Sequence, residues 1–208
     1  LHVLGASRTD SGVHARGQVA TFEAQTDLEP ERMRRAINSR LPEDVQVRAA
    51  GVVAPDFNPI GDAISKGYSY VFAHPGSDHA DRPLFDRRWT TWTPYVLDSA
   101  KMHAAARHLV GEHDFRSFTR KHHGRESTVR TVHACTVSDD GPHRVRLEVS
   151  GNGFLYNMVR IIAGTLLDAG RGKTDPDTIP AILAARDRAV SGTTQPPEGL
   201  CLEWVRYP

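Results

Sequence analysis

The chain has 208 residues, of which 39% are hydrophobic and 25% charged. This composition is typical of a globular protein and excludes a disordered tail. Its 26 Lys and Arg residues nearly balance 25 Asp and Glu residues, so positive charge does not coat the whole surface. Two isolated cysteines, Cys135 and Cys201, exclude a disulfide scaffold and a cysteine-rich zinc site. No apolar run approaches the ~20 residues that span a bilayer, and we expect a cytoplasmic protein.

Strand and helix patterns alternate along the chain. Six stretches alternate apolar and polar side chains as strands do. They cover residues 18–24, 44–53, 66–74, 129–138, 143–150 and 200–205. Four stretches repeat apolar side chains at the spacing of one helical face. They cover residues 30–40, 98–110, 154–169 and a segment after Asp175. Hairpin connections between strands, grouped with packing helices, indicate an α+β fold with a largely antiparallel sheet.

Two of the predicted helices have clear boundaries and buried faces. Asp98 is a suitable N-cap for the second helix, and Gly111 would end it. We expect four of its side chains in the core: Met102, Ala105, Ala106 and Leu109. The third helix is the most apolar, and five of its side chains should face inward. These are Met158, Ile161, Ile162, Leu166 and Ala169.

Basic residues concentrate in one segment, residues 116–133, where Glu126 is the only acid. The segment contains Arg116, Arg120, Lys121, Arg125 and Arg130. Such a run is either a solvated loop or a contact to nucleic-acid phosphates, since clustered cations displace counterions from the backbone.

The densest signal for chemistry lies in residues 7–19. Arg8 and Asp10 are two positions apart, so in an extended chain both side chains point to the same side and could pair. A fixed, ionised carboxylate is a nucleophile or a base. Taken without further context, such a stretch is more often an ordinary turn with a surface ion pair.

This block closely resembles the signature of the tRNA pseudouridine synthase TruA family, R-T-D-A-G-V-H-A followed by G-Q-V. The chain reads Arg8-Thr9-Asp10-Ser11-Gly12-Val13-His14-Ala15 and then Gly17-Gln18-Val19, so Ser11 replaces the usual alanine. Four further blocks match in family order. They are Lys66-Gly67-Tyr68-Ser69-Tyr70, His113-Asp114-Phe115 with Phe118, Gly151-Asn152-Gly153-Phe154-Leu155-Tyr156-Asn157-Met158-Val159-Arg160, and Glu198-Gly199-Leu200.

The resemblance implies an enzyme that converts uridine to pseudouridine at positions 38, 39 and 40 in the anticodon stem-loop of tRNA. It also implies a homodimer that needs neither cofactor nor metal. The implied fold has two ferredoxin-like α+β halves around a continuous, mostly antiparallel sheet, with the active-site cleft between them. Residues 1–62 would form the half that carries the aspartate block, and residues 63–208 the other half.

Five residues receive roles from the same resemblance. Asp10 maps to the catalytic nucleophile, and Arg160 to the arginine that pairs with it. Tyr68 maps to the tyrosine that stacks on the target base. Leu200 maps to a leucine that lines the pocket, and Arg8 to an arginine that engages the RNA and helps to flip the nucleotide.

The reaction sets its own physical requirements. The N1 to C1′ bond of uridine must break, and the base must rotate and rejoin through C5, with no net redox change. A carboxylate suits attack at C1′, attack at C6 or assistance of an elimination, and the sequence does not choose among these. The base must also leave its stack, at a cost of a few kcal/mol that an aromatic platform worth ~1–3 kcal/mol partly offsets.

Two departures from the family pattern keep a second hypothesis open. Residues 57–61 read Phe-Asn-Pro-Ile-Gly where the family often has F-H-A-R-F, so a basic contact near the pocket is missing. The family also has a strand and a helix ahead of the R-T-D block, and we expect this chain to be N-terminally short of them. The alternative is therefore a tRNA-binding module of the same fold without turnover.

Other chemistries are less favoured by the sequence. A glycosidase would need a second carboxylate near Asp10, and the available ones stand outside any comparable block. They are Glu23, Asp27, Asp56 and Asp62. We expect His14 to be a hydrogen-bonded structural residue, and Phe115 and Phe118 to be core anchors.

Overall fold

The structure, a computed structural model, describes residues 2–75, 82–120 and 126–208. The described strands are β1 (Val3–Gly5), β2 (His14–Ala15), β3 (Ala20–Phe22), β4 (Ser65–Ala73), β5 (Thr91–Trp92), β6 (Gly111–Asp114), β7 (Val129–Asp139), β8 (Arg144–Gly151) and β9 (Leu200–Arg206). The described α-helices are α1 (Pro30–Asn38), α2 (Ser99–Arg107), α3 (Met158–Gly170) and α4 (Ile179–Ala185). No described helix combines the length and the apolar composition needed to cross a membrane.

Seven of these strands form one mixed sheet in the order β2-β9-β4-β8-β7-β6, with β5 beside the end of β4. The β2–β9 and β4–β5 pairs are parallel, and the remaining pairs of this sheet are antiparallel. Strands β1 and β3 pair with each other in a separate two-stranded sheet. The α+β class predicted from the sequence is therefore confirmed, and most strand pairs are antiparallel.

The hydrophobic core lies where α2 and α3 pack against the large sheet. Tyr70 and Phe72 of β4 are completely buried in it, and both pair across the sheet with apolar residues of β8. Helix α3 is buried over nearly its whole length. Among the described residues, Ala6 is the one buried hydrophobic side chain ahead of β4. The large sheet therefore supplies the rigid frame against which the preceding segment is held.

Helix α2 confirms the boundary predicted for its start. The Asp98 side chain accepts a hydrogen bond from the Lys101 backbone N–H, as an N-cap does. The four side chains expected in the core here are completely buried. The five side chains of α3 that were expected to face inward are buried as well, and the most exposed of them, Ala169, is 1% exposed. Helical periodicity identified both buried faces.

The strand predicted at 44–53 is wrong. Val45 closes a turn onto the Pro42 carbonyl, and the Asn38 side chain bonds to both backbone groups of Val47. The backbone hydrogen-bonding groups of Val47 are thus satisfied by a side chain at the end of α1 and not by a neighbouring strand, although the segment carries alternating valines. The 18–24 strand is shortened to β3 for a similar reason, because the Gln18 side chain bonds to the backbone of Ser7 and of Val19.

Helix α3 starts later than the predicted 154–169. Asn157 has a φ of 59°, in the left-handed region, so the helix begins only at Met158. Asparagine is one of the few non-glycine residues that adopts this conformation readily. The short strands β1, β2, β5 and β6 were not among the six predicted stretches, since two to four residues are too few to show an alternating pattern.

Candidate active site

The five residues assigned roles from sequence line one cleft. Its volume is about 250 Å³, and its walls come from the loop before β2, the start of β4 and residues 154–160. Arg8, Asp10, Tyr68, Arg160 and Leu200 all contribute to it. Residues far apart in the chain are therefore brought to one place by the sheet and by α3.

An ion pair joins two walls of this cleft. Arg160, in the first turn of α3, donates from Nη1 to Oδ2 of Asp10 at 3.1 Å. The Arg160 side chain is 16% exposed and that of Asp10 is 37% exposed. Asp10 thus keeps part of its carboxylate open to the cleft while its position is held by a largely buried cation.

Arg160 has two further acceptors that the sequence did not reveal. Its Nε donates to the Gln195 carbonyl oxygen at 2.6 Å, and its Nη1 donates to Oδ1 of Asn157 at 3.2 Å. The Gln195 backbone N–H returns a bond to the Arg160 carbonyl at 3.1 Å. The guanidinium is therefore fixed on several sides. Asn157 lies in one of the sequence blocks that match the family, so the sequence could have indicated it as a site residue. Gln195 lies outside those blocks.

The 195–197 segment is braced from β4. The Tyr70 hydroxyl donates to the Pro196 carbonyl at 2.7 Å and contacts Oγ1 of Thr91 at 2.5 Å. Burial raises the pKa of Tyr70 well above its ordinary value, so this hydroxyl keeps its proton and remains a donor at neutral pH. A buried tyrosine of the core thereby fixes the segment that holds Arg160.

The loop that carries Asp10 turns tightly and touches the same segment. The Val13 N–H donates to the Asp10 carbonyl at 3.0 Å. Gly12 has a φ of +83°, and a Cβ added there would lie 3.0 Å from the Pro197 side chain. Glycine is therefore required at this position both by the backbone conformation and by the close approach.

Tyr68 projects from β4 beside Asp10 but is only 9% exposed. The Phe154 ring meets it edge-on, with centroids 5.2 Å apart and planes at 83°. Burial raises the pKa of Tyr68, as does the charge of Asp10, while the Ser7 side chain acts in the opposite direction. The hydroxyl is thus protonated at neutral pH, and this largely buried side chain lines the cleft.

The spacing of Arg8 and Asp10 suggested that the two side chains pair, but in the structure they do not. Arg8 is exposed at the cleft, and the described ion partner of Asp10 is Arg160. A second cation, Lys66, also lines the cleft and donates from Nζ to the Ala6 carbonyl at 2.7 Å. This bond ties the loop ahead of Asp10 to the large sheet.

His14 is a structural residue, as expected. Its Nε2 lies 2.6 Å from the Arg88 carbonyl oxygen, and its ring packs on Trp89 with centroids 4.3 Å apart. Phe115 and Phe118 are completely buried core residues, also as expected.

Asp10 is the one acidic residue among the described residues that line the cleft. The carboxylate pair required by the glycosidase alternative is therefore not found in this part of the molecule. In the described part of the chain, no three His, Cys, Asp or Glu side chains converge as metal ligands.

The basic segment is described only in part. Lys121 and Arg125 lie outside the described residues. Arg116 and Arg120 are exposed, whereas Arg130 donates to the Ser127 and Val129 carbonyl oxygens. A phosphate contact by this segment stays a prediction.

Comparisons with known proteins place the chain in a family. A family model described as tRNA pseudouridine synthase matches residues 1–58 and 105–208. A "tRNA pseudouridine synthase A" of Geotalea uraniireducens is 44% identical, and the match covers 100% of this chain and 82% of that protein. The protein of the same name from Exiguobacterium sibiricum is 41% identical over 100% of this chain and 81% of that protein. The chain belongs to the tRNA pseudouridine synthase family.

Proposed function

We propose that this chain isomerises uridine to pseudouridine at positions 38, 39 and 40 in the anticodon stem-loop of tRNA, with Asp10 as the nucleophile. The observation that carries the proposal is the Asp10–Arg160 ion pair in a cleft that Tyr68 and Leu200 also line. The names of the relatives support tRNA as the substrate.

The atoms of the reaction balance without an external reactant. The N1–C1′ bond breaks and a C5–C1′ bond forms, C5 loses its proton to solvent, and N1 gains one. The carboxylate of Asp10 forms a transient bond to C1′ or C6, or acts at the sugar in an elimination, and is released at the end. A single carboxylate suffices for each of these routes, which fits the one acidic side chain found among the described lining residues.

Arg160 serves this chemistry by fixing the nucleophile. Its three hydrogen bonds hold the guanidinium to Gln195, Asn157 and Asp10 at once. A charge-assisted bond with this degree of constraint limits the rotation of the carboxylate. Asp10 is then aimed at one position in the cleft before the substrate arrives.

The apolar wall of the cleft suits a nucleotide base that has left its stack. Leu200 is 7% exposed, and Val13 and Ile60 line the cleft near it. Ile60 stands in the stretch where the family often has a basic residue, so this chain has an apolar contact there. Tyr68, which also lines the cleft, provides the aromatic side chain against which the base packs.

Arg8 is the residue we assign to RNA engagement. It lies in the cleft wall and is exposed, so its guanidinium is accessible to a phosphate or to the space left by the flipped nucleotide. It is separated by two positions from Asp10, so a nucleotide held by Arg8 lies near the nucleophile.

The proposal includes the family architecture. Residues 1–62 and 63–208 are two ferredoxin-like halves with the cleft between them, and the enzyme is a cytoplasmic homodimer. In the described residues β2 joins the first half to the large sheet, while β1 and β3 pair separately. The parallel pairing of β2 with β9 supports a connection between the halves, since it joins the segment after Asp10 to the large sheet. Analytical ultracentrifugation at micromolar concentrations tests the dimer.

The target positions are tested by mapping pseudouridine in a tRNA transcript. Carbodiimide derivatisation followed by reverse transcription marks each modified uridine. We expect stops at uridines placed at positions 38, 39 or 40, and their loss when cytidine replaces the uridine. Stops at other positions would contradict the assigned specificity. Transcript binding without any new stop would favour the binding-module hypothesis.

A further inference from the structure

Two arginines from distant parts of the chain come together beside the cleft. Arg120 follows the buried 3-10 turn Phe115–Phe118, and Arg188 begins the 3-10 turn Arg188–Val190 after α4. Ser191 links the two turns, because its hydroxyl donates to the Ser117 carbonyl at 2.6 Å. The turn that precedes Arg120 and the turn that begins at Arg188 are therefore packed against each other by the fold.

Arg188 is held in place by neutral groups alone among the described residues. Its Nη1 donates to Oγ of Ser191 at 3.0 Å, and its Nη2 donates to Oγ1 of Thr194 at 3.1 Å. Burial lowers the pKa of Arg188, and the nearby charge of Arg120 lowers it further. The positive charge of Arg120 therefore acts on Arg188, which no described acidic side chain neutralises.

Arg120 extends the pair to the cleft. Its guanidinium carbon lies 5.7 Å from the centroid of the Tyr156 ring, a cation–π geometry. Tyr156 lines the cleft that contains Asp10 and is itself 42% exposed. Its backbone is held by Thr119, whose hydroxyl donates to the Tyr156 carbonyl at 3.1 Å.

The neighbouring carboxylates are engaged elsewhere. Asp187 accepts the Ala189 backbone N–H at 3.1 Å, and Asp114 pairs with Arg186 at 3.2 Å. Within residues 2–75, 82–120 and 126–208, no ion pair joins Arg120 or Arg188 to an acidic side chain. Two adjacent guanidinium groups without a described carboxylate form a site for an anion with several oxygens.

We propose that Arg120 and Arg188 bind backbone phosphates of the RNA that enters the cleft, with Tyr156 joining this phosphate site to the nucleotide pocket. The inference rests on the proposed function, because RNA is the polyanion that the cleft would receive. The two side chains differ in their role. Arg188 is held by its hydroxyl partners, whereas the exposed Arg120 side chain can change its conformation to meet the RNA backbone.

The test measures the affinity of the full chain for an unmodified tRNA transcript across a salt series. We expect Arg120→Gln and Arg188→Gln each to weaken binding about tenfold at low salt, as the loss of a charge-assisted contact does. The double variant should reduce the slope of log K against log salt by about 1.4 to 1.8, at about 0.7 to 0.9 per phosphate. Arg107→Gln is the matched control, since it removes an exposed arginine at the end of α2.

Unchanged affinity and slope in both single variants would overturn the inference. An equal loss in the Arg107→Gln control would also overturn it, since charge alone and not this site would then explain the effect. If Arg188→Gln unfolds, Arg120→Gln still tests the inference, because Arg120 contacts only an exposed ring among the described residues and its loss should leave the fold intact. Turnover by the unsubstituted chain, measured separately, decides the proposed function independently of these binding results.

Discussion

Asp10 and Arg160 are 150 positions apart in the chain, and their side chains meet at 3.1 Å. The contact depends on three features of the fold: the tight turn at Gly12, the left-handed Asn157 at the start of α3, and the 195–197 segment braced by Tyr70. The orientation of the carboxylate therefore depends on Gly12 and Tyr70, which do not line the cleft, as well as on Asn157, which does.

Arg160→Lys tests whether the fork of the guanidinium matters beyond its charge. Lysine carries one ammonium group, which cannot reach Asp10, Asn157 and the Gln195 carbonyl together. We expect the single-turnover rate to fall about tenfold or more, for the loss of one charge-assisted bond worth about 1.5–3 kcal/mol. A lysine variant with the full rate would show that positive charge alone is sufficient.

Asn157 has a conformational role and a side-chain role that substitutions can separate. Asn157→Gly keeps the left-handed conformation, whereas Asn157→Ala carries a cost of about 1–2 kcal/mol for it. Urea unfolding should therefore show a lower free energy of unfolding for the alanine variant than for the glycine variant. Both variants lose Oδ1 as an acceptor for Arg160, so both should be slower in turnover. Equal stability of the two would contradict the conformational argument.

The sequence blocks single out five residues that the structure brings to one cleft, and the roles assigned to them stay predictions. Arg8, Asp10, Tyr68, Arg160 and Leu200 line the same cleft. The sequence could not reveal the Gln195 partner of Arg160, because the acceptor is a backbone carbonyl whose position depends on tertiary packing. The pairing of Arg8 with Asp10 looked plausible from local spacing, but the long-range contact of Asp10 with Arg160 is the one formed.

Every predicted helix corresponds to a helix of the structure, and four of the six predicted strands agree with β4, β7, β8 and β9 to within one residue at each end. Periodicity identified the buried faces of α2 and α3, because helical hydrogen bonds are local and the apolar stripe alone selects the face. The error at 44–53 has the opposite cause. A strand needs a neighbouring backbone, and there the Asn38 side chain bonds to Val47 instead.

Gly164 permits the contact between α3 and the segment that holds Arg160. A Cβ at this position would overlap the Thr193 carbonyl oxygen, a backbone atom. Gly164→Ala gains about 1 kcal/mol of helix propensity, but overpacking costs about 1–3 kcal/mol and is greatest against backbone. We expect a net loss of stability in urea unfolding together with slower turnover. Gly51→Ala, with no atom within 4 Å of the added carbon, is the control and should be as stable as the parent.

Asp114 makes the stability in acid depend on one partly buried cluster of side chains. Burial opposes its ionisation, yet the Thr128 hydroxyl at 2.5 Å, the Arg116 N–H and the charges of Arg116 and Arg186 lower its pKa below the ordinary 3.8. The unfolded chain therefore takes up the proton first as the pH falls. The stabilisation is present above the unfolded pKa and is lost as the pH drops through the folded pKa.

Asp114→Asn should consequently be less stable than the parent at pH 7, and the gap in free energy of unfolding should narrow between pH 4 and pH 3. Urea titrations at pH 7, 5, 4 and 3 check this. A gap that stays constant down to pH 3 would show that the carboxylate charge contributes nothing.

The central claim is that Asp10 performs the isomerisation, and release of tritium from a tRNA transcript labelled at C5 of uridine measures it most directly. The parent chain should release tritium, Asp10→Asn should release none above background, and Asp44→Asn, which removes an exposed carboxylate away from the cleft, should match the parent. Release by Asp10→Asn at the rate of the parent chain would contradict the assignment of Asp10 as the nucleophile.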